Sequence, residues 1–250
     1  MAQIITEAPA AQAALAELFS THERVVFFGG AGVSTASGIP DFRSADGLYH
    51  QRFAYPPEVM LSHSFYASHR AEFYDFYRTK MIALEAQPNQ AHRKLAELEA
   101  AGKLLAVVTQ NIDGLHQAAG SKRVYELHGS VHRNICGRCH AVYSAEWIMA
   151  REHEDERGVP VCPACGGAIK PDVVLYEESL DEDVLTGAVR AIMAADALVV
   201  GGTSLVVYPA AGLLQYFGGD TLAIVNRDPT PQDASADLLI SCDIAQAFGF

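Results

Sequence analysis

Four short apolar runs, each preceded by a segment with helical spacing, limit the folds open to this chain. The runs span residues 24–28, 104–110, 197–204 and 221–226. The spacing predicts amphipathic helices over segments such as 91–102 and 181–196. Nearly continuous apolar strands that alternate with such helices indicate a parallel sheet with helices on both faces. The sequence therefore predicts an α/β protein built on a parallel sheet.

Polar and glycine-rich residues follow each apolar run, at the point where each predicted strand ends. These segments read GGAGVS, TQNIDGLH, GGTSL and NRDPT. In parallel α/β sheets, ligands bind in the crevice at the carboxyl ends of the strands. The four segments therefore predict a small-molecule site at this edge of the sheet.

The segment after the first run follows the dinucleotide-binding pattern G-x-G-x-x-G only in part. Gly30 and Gly32 occupy the first two glycine positions, but Thr35 stands at the third. The two glycines would let the backbone approach a pyrophosphate, and the N-terminus of a following helix would favour its charge. A pair of turn glycines is also common without a ligand. The Asp-Phe-Arg sequence at 41–43 adds an aromatic face and a guanidinium that could cover a bound molecule.

Three polar side chains at the end of the second run are candidates for ligand binding. Gln110, Asn111 and Asp113 would be costly to bury unless something forms hydrogen bonds with them. Asp113 could instead cap the start of a helix, although that role would not account for the other two. His128 lies beside Gly129, just before a cysteine-rich insertion, and is a candidate for catalysis at the junction of two lobes.

Two segments interrupt the alternation and predict a second, smaller lobe. Residues 45–90 are rich in aromatic side chains and have helical spacing after Pro57, and residues 132–171 contain four of the five cysteines. The predicted division is a parallel-sheet domain of residues 1–44, 91–131 and 172–250, a helical module at 45–90 and a cysteine-rich module at 132–171.

The four cysteines form two C-x-x-C pairs, Cys136 with Cys139 and Cys162 with Cys165, separated by 22 residues. Such pairs can hold Zn²⁺ with four thiolates, and a metal without an open position is structural. Two disulfides or a redox pair are the alternatives. A reducing cytoplasm disfavours disulfides, and the glycines of the two knuckles disfavour a redox pair. Cys242 is predicted to be a small, buried hydrophobic residue.

Charge and hydropathy narrow the class of protein further. The net charge of −12 argues against nonspecific nucleic-acid binding, whose affinity comes from neutralised phosphates. No apolar run reaches the roughly 18 residues of a membrane helix. Residues 6–19 lack a basic region, which favours a surface helix over a signal peptide. We therefore expect a cytoplasmic protein without direct nucleic-acid or membrane contacts.

The combination of motifs resembles the sirtuins, the Sir2-type NAD-dependent protein deacylases, of bacterial type. The matching segments run in the family's order from about residue 20 to 244: GAGVSTASGIPDFR, TQNID, LHGS, the C-x-x-C pairs, KPDVVLYEESL, GTSLVVYPA and IVNRDPTPQDASADLLI. The resemblance implies a Rossmann-like domain and a small lobe made of a helical module and a zinc ribbon. NAD and an acylated lysine of a protein or peptide would meet in the cleft between them.

The resemblance also implies the chemistry and the residues that perform it. The acyl oxygen attacks C1′ of the ribose as nicotinamide leaves, His128 acts as base on the ribose hydroxyls, and water releases lysine and O-acetyl-ADP-ribose. Besides His128, the residues implied to bind NAD are Gly30, Ala31, Gly32, Ser34, Thr35, Asp41, Phe42, Arg43, Gln110, Asn111, Ile112, Asp113, Gly202, Thr203, Ser204, Asn226, Arg227, Asp243 and Ile244.

The substrate peptide in this family adds as a strand between two loops, here residues 173–179 and 204–209. The residues implied to contact it are Val174, Leu175, Tyr176, Glu177, Val206 and Val207. The family commonly has Phe-Gly where this chain has Tyr176 and Glu177. We expect the added charge to favour basic residues beside the acyl-lysine.

A second departure from a family pattern bears on the acyl group. Sirtuins that remove succinyl or malonyl groups carry Tyr-x-x-Arg in the helical module, whereas here Tyr74 is followed three positions later by Tyr77. Acetyl or longer apolar acyl groups are therefore expected. Arg78 and Lys80 lie close to this position, and Tyr49 with Arg52 is a second, less well aligned candidate for an acidic-acyl pair.

Three other functions compete with deacylation. Mono-ADP-ribosyl transfer would use the same NAD pocket, but His128 and the apolar channel walls favour deacylation. A non-catalytic NAD- or peptide-binding module is disfavoured by the presence of His128, Asn111 and Asp113. A hydride-transferring dehydrogenase is disfavoured by the missing third glycine and by the position of the cysteine pairs.

Overall fold

The computed structural model describes residues 4–42, 47 and 53–250 and contains two β-sheets. The strands are β1 (Ile4–Ile5), β2 (Val25–Gly29), β3 (Leu104–Thr109), β4 (Val124–Glu126), β5 (Gly129–Cys136), β6 (Val142–Tyr143), β7 (Ile169–Val173), β8 (Ala197–Gly201), β9 (Thr221–Val225) and β10 (Leu238–Ile240). Seven of them form a parallel sheet in the order β1-β10-β9-β8-β2-β3-β4, and β6-β5-β7 form an antiparallel sheet. The predicted parallel α/β fold is confirmed, and all four predicted strands are present.

Strand β2 lies at the centre of the large sheet because both of its faces are apolar. Val25 and Phe27 belong to a hydrophobic cluster on one face, and Val26 and Phe28 belong to a second cluster on the other. All four side chains are fully buried. This alternation is what a strand covered by helices on both sides requires. The strand order reverses at β2, which pairs with β3 on one side and with β8 on the other.

Helices cover both faces of this sheet. The helices of the described residues are α1 (Ala8–Thr21), α2 (Pro57–Met60), α3 (His63–Ser68), α4 (Arg70–Phe76), α5 (Gln90–Ala100), α6 (Leu115–Ala119), α7 (Ala145–Ala150), α8 (Glu182–Ala194) and α9 (Ile244–Ala247). Helices α1, α5 and α9 pack on the Phe27 face, and α8 packs on the Phe28 face. Across the described part of the chain, no helix combines the length and the apolar character that crossing a bilayer requires.

Side-chain caps explain where two of the predicted helices begin. The Oδ1 of Asp181 accepts from the amides of Asp183 and Val184 and starts α8. Asn89 and His92 form a reciprocal capping box at the start of α5. The side-chain amide of Asn89 also donates to the carbonyl of Val33 at 2.7 Å, which ties the start of α5 to the loop after β2.

The small lobe combines the aromatic segment with the cysteine-rich segment around one core. Side chains of α3 and α4 share a hydrophobic cluster with side chains of β5, α7 and β7. The predicted limits 131/132 and 171/172 fall inside β5 and β7, so the small sheet extends to residues 129 and 173. The division into domains itself stays a prediction.

Two local features differ from the sequence-based expectation. Strands β1, β4 and β10 were not expected, because segments of two or three residues carry too little pattern to be recognised. The loop after β2 continues into two 3₁₀ turns at Ala31–Val33 and Thr35–Ser37 rather than into a longer helix. These turns therefore do not provide the α-helix N-terminus that was expected to favour a pyrophosphate.

Candidate active site and metal centre

The carboxyl ends of five parallel strands surround one cavity. Gly29 pairs in register with Thr109 and with Gly201, and Gly201 pairs with Val225, so the loops after these strands begin side by side. A cavity of about 380 Å³ lies there and is lined by the loops after β2, β3, β8, β9 and β10. It lies beside the point where the strand order reverses, which is the usual ligand position in such sheets. The polar segments identified in the sequence therefore lie together.

The glycines of the first loop allow it to pack directly against the loop after β8. The amide of Gly32 donates to the carbonyl of Gly202 at 2.8 Å. A Cβ on Gly32 would lie 2.8 Å from the Cα of Gly202, and one on Gly30 would lie 2.7 Å from the Cβ of Thr203. Gly202 has a φ of +60°, and its own Cβ would lie 2.4 Å from the amide nitrogen of Val33. The close contact between the two loops therefore explains why glycine is required at positions 30, 32 and 202.

Polar side chains of three loops form hydrogen bonds with one another at the cavity. The hydroxyl of Ser34 donates to Oδ2 of Asp113 at 2.6 Å, and the side-chain amide of Asn111 donates to the Ser34 hydroxyl at 3.0 Å. The side-chain amide of Gln110 donates to the hydroxyl of Thr203 at 3.0 Å. Asp113 also accepts from the amide of Leu115, the first residue of α6, at 2.9 Å, although the N-cap residue of this helix is Gly114.

A hydrogen bond fixes the tautomer of His128, and burial favours its neutral form. Its Nδ1 lies 2.9 Å from the backbone oxygen of Gln110. A carbonyl oxygen only accepts, so Nδ1 carries the proton and the neutral ring presents Nε2 as an acceptor. Burial lowers the pKa of His128 below its usual value, against the opposing effect of the bond to Gln110. The ring is therefore neutral at pH 7, as a general base must be.

Most of the other residues expected from the sequence also line this cavity. They are Ala31, Gly32, Asp41, Phe42, Ile112, Gly202, Ser204, Asn226, Arg227, Asp243, Ile244, Val174, Leu175, Tyr176, Glu177 and Val207. Gly30, Thr35 and Val206 do not line it, and Val206 is 47% exposed. Arg43 lies outside the described residues.

The cavity has further walls that sequence reasoning missed. Leu61 and Met81 reach it from the small lobe, and no local spacing links them to the strand ends. Ile39 and Pro40 also line it, and they belong to the same GIPDFR segment that drew attention to residues 41–43. Cys242 is half-buried and contributes to the wall, so it is less enclosed than expected.

The side chains considered for an acidic acyl group lie apart from the cavity, with one exception. Tyr74 and Tyr77 are fully buried, and the Tyr74 hydroxyl donates to the carbonyl of Ile169. Arg78 is buried and forms an ion pair with Glu154. Lys80 is the exception, because it does line the cavity. Tyr49 and Arg52 lie outside the described residues.

The four cysteines of the C-x-x-C pairs come together in the small lobe. All four Sγ atoms lie within 4.8 Å of one another, with Cys136 and Cys165 at 3.5 Å and Cys139 and Cys162 at 3.6 Å. Four thiolates bound tetrahedrally to zinc at about 2.3 Å would be about 3.8 Å apart. The cluster therefore fits one zinc ion and no disulfide. Because the four thiolates fill the coordination shell, the zinc is structural.

Aromatic side chains flank this metal centre. The hydroxyl of Tyr143 lies 2.9 Å from Sγ of Cys162 and lowers the pKa of that thiol to about 6. A lowered pKa favours the thiolate, which is the form that binds metal. The Tyr143 ring packs against Trp147 with centroids 4.3 Å apart, and Trp147 stacks on His153 at 4.9 Å.

A doubly wound parallel sheet, a polar cavity at its switch point and a four-cysteine centre define a zinc-containing, nucleotide-binding type of α/β protein. Residues 30–209 match the model of the Sir2 family. The match covers well over half of the chain, and the chain belongs to the Sir2 family. The resemblance noted in the sequence is thereby confirmed.

Curated relatives and solved structures agree with this assignment. An NAD-dependent protein deacetylase of Clostridium acetobutylicum is 55% identical over 93% of this chain and 94% of its own length. One of Staphylococcus aureus is 43% identical over 92% and 93%. A Sir2 structure with a deacetylated p53 peptide and 3′-O-acetyl-ADP-ribose has a TM-score of 0.87 at 39% identity, covering 95% of both chains. A Sir2 structure with a p53 peptide and NAD⁺ has a TM-score of 0.83 at 40% identity, covering 94% of both.

Proposed function

We propose that this chain is an NAD-dependent protein lysine deacetylase, which transfers the acetyl group to ADP-ribose and releases nicotinamide and O-acetyl-ADP-ribose. Relatives with this activity in their names are similar over nearly the whole chain. The observation that carries the proposal is the neutral His128, whose Nδ1 donates to the Gln110 carbonyl in a cavity lined by polar loops. NAD supplies the ribose carbon that receives the acyl oxygen and the nicotinamide that leaves.

His128 acts as the general base of this reaction. Its Nε2 takes a proton from a ribose hydroxyl, and the hydrogen bond from Nδ1 to the Gln110 carbonyl holds the ring in the required tautomer. His128 also fixes the substrate side of the cavity, because its own backbone carbonyl accepts from the amide of Val174 at 2.9 Å. Base and substrate-binding segment are therefore held in one hydrogen-bonded unit.

The carboxylate, amide and hydroxyl groups of the cavity suit the functional groups of NAD. Asp113 and Asn111 bind the nicotinamide carboxamide and ribose, with Ser34 holding both side chains in place. Thr203 and Ser204 would bind phosphate, and Asn226 and Arg227 would hold the adenine ribose, since all four line the cavity. Phe42, which lines the cavity beside Asp41, would cover the nicotinamide.

The acylated lysine of a protein or peptide enters between residues 173–179 and 204–209. Val174 and Tyr176 wall the channel for the lysine side chain, with Leu175 and Val207 beside them. Acetyl is the expected acyl group, because Tyr77 stands where the Tyr-x-x-Arg pattern has its arginine, and Arg78 is paired with Glu154 away from the cavity. Lys80 does line the cavity, and the succinyl peptide used below tests whether it binds an acyl carboxylate. Cytoplasmic localisation and the absence of direct nucleic-acid binding stay predictions.

Replacing His128 with alanine tests the role of the base. His128→Ala is expected to lower NAD-dependent deacetylation of an acetyl-lysine peptide by roughly 10²–10⁴-fold, with an unchanged far-UV circular dichroism spectrum. His22→Ala is the matched control, because His22 lies at the end of α1 and does not line the cavity. Turnover at the wild-type rate in a nicotinamide-release assay would exclude His128 as the base.

Mass spectrometry of the products tests the reaction itself. Wild-type protein with NAD and acetyl-, succinyl- and long-chain acyl-lysine peptides should give O-acetyl-ADP-ribose most rapidly. ADP-ribosylated protein without this product would instead identify a mono-ADP-ribosyltransferase. A preference for the succinyl peptide would refute the assignment of acetyl as the preferred group.

A further inference from the structure

The proposed peptide-binding segment of residues 173–179 also caps a helix of the small lobe. The first amides of an α-helix have no partner within the helix. At α3, the amide of His63 donates to the carbonyl of Tyr176 at 3.0 Å, and the amide of Ser64 donates to Oε2 of Glu177 at 2.9 Å. The Ser64 hydroxyl donates to the same carboxylate oxygen at 2.6 Å. Residues 176 and 177 thus complete the start of α3.

Glu177 adopts a backbone conformation that favours glycine. Its φ is +77°, in the left-handed region that side chains with a Cβ rarely occupy. A glutamate held in this conformation requires a compensating interaction. The two hydrogen bonds from Ser64 provide it, and they also lower the pKa of Glu177, so that the carboxylate is charged at neutral pH.

Neighbouring contacts extend the attachment in both directions along the segment. The amide of Tyr176 donates to the carbonyl of Leu61 at 3.0 Å. Glu178 contacts His63 Nδ1 at 2.7 Å, and it accepts from Lys170 Nζ at 3.0 Å and from the amide of Leu175 at 2.9 Å. The segment is therefore already held in place by hydrogen bonds, between His128 and the start of α3.

We infer that Glu177 is a positioning residue, which fastens the peptide-binding segment to α3 through Ser64 and so prepares its edge for the acyl-lysine peptide. The inference rests on the proposed deacetylase function. Pre-organisation of this kind raises affinity by removing the cost of ordering the segment when the peptide binds. Glu177 therefore acts on peptide affinity and not on the chemical step.

This role differs from the one that the sequence suggests for the same charge. A carboxylate that contacts basic residues of the peptide would act on basic peptides alone and would not depend on Ser64. A carboxylate that holds the segment acts on every acyl-lysine peptide and depends on Ser64. The orientation of Glu177 Oε2 towards both donors of Ser64 favours the second role.

Peptide affinity in a double-mutant cycle tests the inference. We expect Glu177→Ala to raise the Kd and the KM of an acetyl-lysine peptide by about three- to tenfold, with kcat and the KM for NAD changed less than about twofold. The increase should be equal for peptides with neutral and with basic flanking residues. Ser64→Ala should cause a smaller increase, and the double variant should bind no worse than Glu177→Ala alone.

Further variants separate the hydrogen bonds from the backbone conformation and from net charge. Glu177→Gln retains an acceptor for Ser64 and should recover part of the affinity, whereas Glu177→Gly relieves the positive φ but still lacks the acceptor. Glu182→Ala removes a negative charge from an exposed position in the first turn of α8 and is the matched control. It should bind peptide as the wild type does.

Three outcomes would overturn the inference. They are wild-type peptide affinity in Glu177→Ala, additive effects of the two alanine substitutions, and a loss confined to the basic peptide. Ser64→Ala leaves the backbone at 177 untouched, so it keeps the cycle informative if Glu177→Ala folds poorly. Failure of the wild-type protein to deacetylate with NAD would instead count against the proposed function, because Kd is measured without turnover.

Discussion

Replacing His92 with glutamine should make the protein more tolerant of mild acid. His92 is fully buried beside His116, with ring centroids 4.7 Å apart. Burial lowers the pKa of His92 to about 4, and burial also lowers the pKa of His116 well below its usual value. The Nδ1 of His92 accepts from the amide of Asn89 at 3.3 Å in the capping box of α5. Glutamine is a common residue at this position of a capping box and carries no proton-binding group.

The sign and size of the effect follow from proton linkage. The folded protein keeps His92 neutral, whereas the unfolded chain binds a proton below about pH 6.5. The free energy of unfolding therefore falls as the pH drops from about 6.5 towards about 4, where the folded state also takes up the proton. The shift corresponds to about 2 kcal/mol lost at pH 5 relative to pH 7.5. His116 adds a loss in the same direction.

Urea denaturation followed by far-UV circular dichroism between pH 7.5 and pH 5 measures this effect. The wild type should lose about 2 kcal/mol more than His92→Gln over this range. Zinc release in acid affects both proteins and cancels in the difference. The same exchange at the exposed His153 controls for the change of residue type. Parallel stability curves for wild type and His92→Gln would refute the reasoning.

Three further predictions concern the strand-end loops, the metal centre and the base. Gly202→Ala should lower the free energy of unfolding, measured by urea denaturation, by about 2–4 kcal/mol. Residue 202 has a positive φ, and its Cβ would lie 2.4 Å from the amide nitrogen of Val33. Wild-type stability of this variant would contradict the reasoning. Tyr143→Phe should weaken zinc retention about tenfold in competition with a chelating dye, and equal retention would contradict the role of its bond to Cys162. In the pH profile of kcat/KM for deacetylation, the fall in activity on the acid side should have its midpoint below pH 6.5, because burial lowers the pKa of His128. A midpoint above pH 6.5 would contradict the role of His128 as the base.

The parallel sheet and the position of its site could be predicted because both depend on local patterns. Buried strands are read from apolar runs, and the loops that end them meet at one edge by the geometry of a parallel sheet. The residues after Gly29, Thr109 and Gly201 therefore lie together, as the sequence indicated. The zinc centre was equally predictable, since each C-x-x-C pair brings two of its ligands together locally.

Contacts between distant segments could not be predicted in the same way. Glu177 is recognisable in the sequence as a charge, but its positive φ and its partner Ser64 depend on how the small lobe packs against the 173–179 segment. Lys80 reaches the cavity from the end of a π-helical turn, which interrupts the regular helical spacing. Strand β1 has only two residues and forms because β10 lies alongside it.

The position of Trp147 makes tryptophan fluorescence a probe of the small lobe. It is the single tryptophan of the chain, and it packs against Tyr143 beside the metal-binding cysteines. The parallel-sheet domain contains no tryptophan, so tryptophan fluorescence reports the small lobe alone. Far-UV circular dichroism measures helices and strands, most of which belong to the parallel-sheet domain. The first signal therefore follows the small lobe alone, and the second follows the secondary structure of both lobes. Removing zinc with a chelator should change the tryptophan fluorescence before the far-UV circular dichroism changes.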